Sequence, residues 1–176
     1  MSFTVRSLTD DDRPWLTGFM TERWGVPLAA GGGRLHRLDD LPGFAAVSAD
    51  GAVAGVVTYL IEADTCEVVS IDSVIQGEGV GTALLEAACE AAAAAGCRSV
   101  RLITTNDNLD ALRFYQRRGF ELVAVHRRAV EASRRIKPAI SLTGDHGIPI
   151  RDEIELELTL PSSPTTESLP PFPSSG

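Results

Sequence analysis

Six residues, Gln76-Gly77-Glu78-Gly79-Val80-Gly81, stand between an apolar run from Cys66 to Ile71 and an Ala-rich run from Thr82 to Ala95. No other junction in the chain restricts the fold as much. The first run reads as a strand and the second as a helix, with Gly96 in the usual C-terminal capping position. Val100 to Thr104 reads as the next strand. A strand, a helix of about a dozen residues and a second strand make a βαβ unit, so the two strands are expected to be parallel neighbours. A helix that opens behind glycines presents N–H groups and the positive end of its dipole, which favours an anion such as a phosphate. A plain glycine turn with no ligand satisfies the same spacing. The dinucleotide fingerprint G-x-G-x-x-G fails at Thr82, and the Gly-Lys-Ser/Thr of a phosphate-binding P-loop is absent.

The rest of the chain extends this unit. Phe3, Val5 and Leu8 suggest a short strand, and Thr9-Asp10-Asp11-Asp12 supplies capping oxygens ahead of Pro14 for a helix over residues 12–24. Gly31-Gly32-Gly33 reads as a mobile loop beside a substrate site or as a surface turn. Phe44 to Ala49 and Val53 to Ile61 flank Asp50-Gly51, a hairpin signal. Asn108 to Arg118 forms a second helical stretch, with Leu109, Leu112 and Tyr115 near one face and Gly119 ending it. Phe120 to Val125 and Ile154 to Leu160 read as closing strands. Residues 127–150 are long for a connection and contain a short helix over Glu131 to Arg135. One domain is expected over residues 3–160, followed by a Pro/Ser-rich disordered tail over 161–176.

Composition narrows the function classes. The 24 acidic against 16 basic side chains leave a net charge of −8, which opposes a nucleic-acid partner. The start MSFTVRSLTDDD has no signal-peptide core, and Glu86 and Glu90 interrupt the most apolar stretch, so no membrane association is expected. Cys66, Cys89 and Cys97 show neither a disulfide framework nor metal-ligand spacing, which fits free thiols in the cytoplasm and no bound metal.

The turn resembles the Gln/Arg-x-x-Gly-x-Gly/Ala motif of the GNAT superfamily of acyl-CoA N-acyltransferases, met here by Gln76, Gly79 and Gly81. The resemblance continues through Thr82-Ala83-Leu84-Leu85, Asn108, Ala111, Tyr115 and Gly119-Phe120, and it covers residues 44–125. It implies an α/β fold of layered α+β type, with a mixed, mostly antiparallel central sheet, two splayed parallel strands and flanking helices. It implies acetyl-CoA as cosubstrate, with pantetheine filling the splay like an added strand. Carried over by position, Ile71 and Ser73 offer backbone contacts. Gln76, Gly77, Glu78, Gly79, Val80, Gly81 and Thr82 hold the pyrophosphate, and Asn108 and Tyr115 touch the cofactor. Glu78 stands where many relatives carry a basic residue, and Gln76 replaces the commoner Arg, so binding must lean on backbone amides.

The implied chemistry is direct acetyl transfer to a primary amine of a small molecule or peptide, by a monomer or homodimer. Tyr115 is the implied acid for the departing thiolate, and a packed core tyrosine is its other reading. Glu67 is the candidate base, because strict alternation puts it on the face of Ile71; an edge carboxylate in solvent fits as well. Asp72 competes with it, with a parity that aims at the opposite face. His36, His126 and His146 show no partner pattern and read as surface histidines. Cys66 as an acyl carrier has no adjacent histidine to activate it. A non-catalytic acyl-CoA-binding or sensing module is the alternative from another class.

Overall fold

The computed structural model describes residues 2–162, so most of the tail expected over 161–176 lies outside the described residues. In chain order the elements are β1 (Phe3–Ser7), α1 (Arg13–Trp24), β2 (Leu28–Gly31), β3 (Arg34–Arg37), β4 (Gly43–Ser48), β5 (Val53–Glu62), β6 (Thr65–Ser73), α2 (Val80–Ala94), β7 (Ser99–Thr105), α3 (Leu109–Gln116), β8 (Glu121–His126), α4 (Ala129–Ile136) and β9 (Glu153–Thr159). Seven strands form one sheet in the order β1-β4-β5-β6-β7-β9-β8, and β2 pairs with β3 as a separate hairpin. Every neighbouring pair in the large sheet is antiparallel except β6 and β7. The α/β layering and mostly antiparallel sheet implied by the resemblance are therefore present.

The two faces of the sheet bury different helices. Val80, Leu84, Leu85, Ala88 and Ala92 recur at helical spacing along α2 and pack with Ala46, Val57, Cys66, Val68 and Tyr115 into the larger core. On the opposite face Leu16 and Met20 of α1 join Ala29, Leu38, Ala45 and Val56, with Trp24 and Val69 packed against them. The triple glycine differs from the mobile loop read in the sequence. Gly31 ends β2, and Gly32 and Gly33 make the hairpin turn at φ of +57° and +74°. The turn is tethered, because the Gly32 amide donates to Glu153 Oε2 at 2.9 Å. Among the described residues no helix is long and apolar enough to cross a membrane.

Candidate active site

The turn after β6 is built from backbone. Gly77 and Gly79 adopt φ of +82° and +79°, the left-handed region that a side chain resists, and Gly79 caps α2 with no side-chain bond. Among the described residues no acceptor takes the amides of Gln76, Gly77, Gly79, Val80, Gly81 or Thr82. Helix starts leave such donors open by construction, and here they gather where the dipole favours an anion. Gly55 on β5 fixes the height of this helix start: a Cβ there would lie 2.8 Å from Val80 Cγ1, 3.0 Å from Leu84 Cδ1 and 2.6 Å from the Asp72 carbonyl oxygen. Arg118, which the sequence reading passed over, donates from Nη2 to Thr82 Oγ1 at 2.6 Å and stacks 3.7 Å over the Phe114 ring. A guanidinium thus stands beside a turn whose own residues supply no cation.

Next to the turn, the sheet opens. β6 and β7 are paired only at Thr65–Ser99, Cys66–Val100 and Glu67–Arg101; beyond that they part. The Val74 amide donates to the Ala54 carbonyl at 2.8 Å, so alternation turns the peptide groups of Asp72 toward β5 and those of Ile71 and Ser73 toward the opening. The Ser73 carbonyl is taken by Arg23 Nη2 at 2.8 Å, which leaves its amide and both peptide groups of Ile71 facing the gap. Buried peptide groups need partners, and a ligand with amides of its own fits the need.

Two side chains from α3 border this region. Asn108 caps the helix, its Oδ1 accepting from the Ala111 amide at 3.1 Å, and it also lines the cleft described next. Tyr115 is 6% exposed and packs edge-on against Phe114 and Phe120, with ring centroids 5.1 and 5.5 Å away. Burial, and secondarily the Asp72 carboxylate, push its phenol above the ordinary value, so the hydroxyl stays a neutral donor well into alkaline conditions.

Behind the opening, on the α1 face, lies a cleft of about 240 Å³ lined by Trp24, Gly31, His36, Glu67, Ile103 and Glu153 among others. Glu67 and Glu153 reach it from β6 and β9. A β-bulge reverses the parity that strict alternation gives to Glu67 and Ile71. The β5–β6 register shifts between Thr58 and Tyr59, so that Thr58 pairs with Ser70 and Tyr59 with Val68, and Val69 is the extra residue of a β-bulge. Glu67 consequently shares its face with Val69 and the cleft, whereas Ile71 packs against the α2 core. Asp72 faces the α1 side as well, not the opposite one, and its carboxylate is held by Trp24 Nε1 at 2.8 Å and Arg23 Nε at 3.2 Å.

Other sequence readings change with the tertiary structure. His36 is buried on β3 rather than on the surface, while His126 is exposed beside Glu155. Cys66 is fully buried and its thiol is pushed up to about 12 by burial, the opposite of an activated nucleophile. No residue of segment 127–150 lines the cleft; α4 supports it from behind, through Ser133 Oγ donating to Glu153 Oε1 at 2.6 Å. Glu153 was missed because Glu153-Ile-Glu-Leu-Glu reads as an alternating solvent face, and Arg118 because its role depends on Thr82, 36 residues away.

Turn, parted strands and cleft together describe an acyltransferase fold, and the comparisons agree. The family model of the Acetyltransferase (GNAT) family matches residues 6–120, and the chain belongs to this family. It is 48% identical over 139 residues to the uncharacterized protein YdhI of Bacillus subtilis (strain 168), covering 79% of this chain and 87% of that one. Among solved structures it is similar to a Bacillus subtilis acetyltransferase in complex with CoA, at 22% identity and a TM-score of 0.65 over 90% of this chain and 99% of that one. It is equally similar in shape, with a TM-score of 0.65 at 18% identity over 90% and 98% of the chains, to a GNAT family acetyltransferase from Elizabethkingia anophelis with acetyl-CoA bound.

Proposed function

We propose that the protein transfers an acetyl group from acetyl-CoA directly to a primary amine. The observation that carries this reading is the parting of β6 from β7 beyond Glu67 and Arg101, beside a turn of open amides. Gln76 to Thr82 would receive the pyrophosphate, with Arg118 adjacent, and the peptide groups of Ile71 and Ser73 would pair with pantetheine. When bound, acetyl-CoA supplies an activated thioester, so the chain itself must only position, deprotonate and protonate.

Glu67 lines the cleft within the bulged stretch and is the base that accepts, through water, a proton from the acceptor's ammonium group. The neutral nitrogen then forms the C–N bond as the C–S bond breaks. Tyr115 donates to the leaving sulfur. Its raised pKa makes full transfer to a thiolate of ordinary pKa, about 8.5, an uphill step, so its main contribution is a hydrogen bond to the charge developing on sulfur. Three free cysteines support a reducing compartment such as the cytoplasm. Thiol release with a panel of amines tests the reading. Amine-dependent release, lowered about tenfold or more at neutral pH by Glu67→Gln, is expected. Tight acetyl-CoA binding with no release from any amine would instead make the protein a sensor.

A further inference from the structure

The cleft holds two carboxylates, and neither lysine nor arginine is among its lining residues. Glu67 stands opposite Arg101 and Glu153 opposite Thr105, so their strand partners are 105 − 101 = 4 residues apart on β7. That is on the order of 13 Å along the strand. Each carboxylate therefore faces its own end of the cleft. Glu153 is 2% exposed and accepts from Ser133 Oγ at 2.6 Å and from the Gly32 amide at 2.9 Å. Both donors are neutral, and they orient the carboxylate without cancelling its charge. His36 lines the same cleft and is 8% exposed, and its Nε2 is buried with no hydrogen-bond partner among the described residues. An unpaired buried polar atom is costly, and a ligand N–H would satisfy it when the ring proton sits on Nδ1. Between the two polar ends, Trp24, Ala29 and Ile103 offer apolar surface.

From this arrangement we infer that the acceptor is a short aliphatic diamine. One amine lies beside Glu67 and is acetylated; the second, still an ammonium group, is held by Glu153 and donates to His36 Nε2. The inference rests on the transferase reading and narrows it. In the reaction the reacting ammonium loses one proton to Glu67 before attack and a second as the amide forms; the C–S bond breaks as the C–N bond is made, that second proton ends on the CoA sulfur, and the second ammonium is unchanged. An ω-amino acid of the same length would set its carboxylate against Glu153, with no lysine or arginine among the lining residues to receive it.

The test compares putrescine, n-butylamine and γ-aminobutyrate as acceptors, by thiol release and by calorimetry on the protein saturated with CoA. Putrescine should exceed butylamine in kcat/KM by about tenfold or more, the size of one charge-assisted hydrogen bond, and γ-aminobutyrate should fail. Glu153→Gln should bring the putrescine-to-butylamine ratio close to one, and His36→Ala should narrow it. Because the ratio is taken within each variant, a general loss of activity cancels. Equal kcat/KM for the three acceptors, or a ratio unchanged in both variants, would overturn the inference while the transferase reading stands. Putrescine that binds but is never acetylated would keep the diamine site and sink the transferase. No binding and no turnover of any amine would overturn both.

Discussion

The two walls of the site are made differently. The proposed cofactor wall runs almost continuously from Val68 to Thr82 and presents backbone: parted peptide groups, glycines at positive φ and a helix start. The proposed acceptor wall is a convergence of side chains from α1, β2, β3, β6, β7 and β9, in which one tether, Gly32 to Glu153, joins residues 121 positions apart. Backbone chemistry is indifferent to most substitutions, whereas a side-chain wall changes its ligand with one residue. A single fold can thus keep one cosubstrate and exchange acceptors, and damage to each wall should carry a different kinetic signature.

The largest effect should come from the backbone-built wall. Gly79→Val places a β-branched residue at φ +79°, although no atom lies within 4 Å of the new Cβ. The turn must rearrange while the fold survives, and calorimetry should find acetyl-CoA affinity lost by more than about a hundredfold, against a strain of about 1–2 kcal/mol in stability. Unchanged affinity would remove the turn from the site. Tyr115→Phe comes next. Stopped assays should show kcat and kcat/KM reduced together by about a hundredfold with the KM for acetyl-CoA little changed. Because the phenol is raised, the wild-type kcat should not fall with rising pH below about pH 10, its ordinary value. A Phe variant of normal kcat and a lowered Tm would return Tyr115 to the core. Gly55→Ala is the mildest and acts on the backbone-built wall from behind, since its Cβ would press on Val80, Leu84 and the Asp72 carbonyl. Thermal unfolding should report a loss of about 1–3 kcal/mol, and the KM for acetyl-CoA should rise more than that for the amine.

The same division governs what could be read from the sequence. The βαβ unit, the glycine turn before α2 and the Asn108 cap are local, so turn and cap chemistry pointed to them within a few residues. The boundaries of β6 and α2 extend a little beyond those expected, to Ser73 and back to Val80, because the glycine turn feeds directly into the helix. The face of Glu67 was not legible. Strict alternation has no means of seeing the bulge at Val69, which exists only through pairing with β5. His36 lies in a short strand after three glycines, and nothing nearby marks it as buried; pairing with Ala29 and burial in the cleft do so only in three dimensions. Glu153 and Arg118 are functional candidates for the same reason, through partners far along the chain.

Amide hydrogen exchange with and without acetyl-CoA reads the backbone groups left open on one wall one by one. On adding acetyl-CoA, the amides of Ile71 and Ser73 and those from Gly77 to Thr82 should slow markedly, while the β2–β3 hairpin, on the acceptor wall, keeps its exchange rates. Protection that spared β6 and the turn and appeared elsewhere would contradict the account.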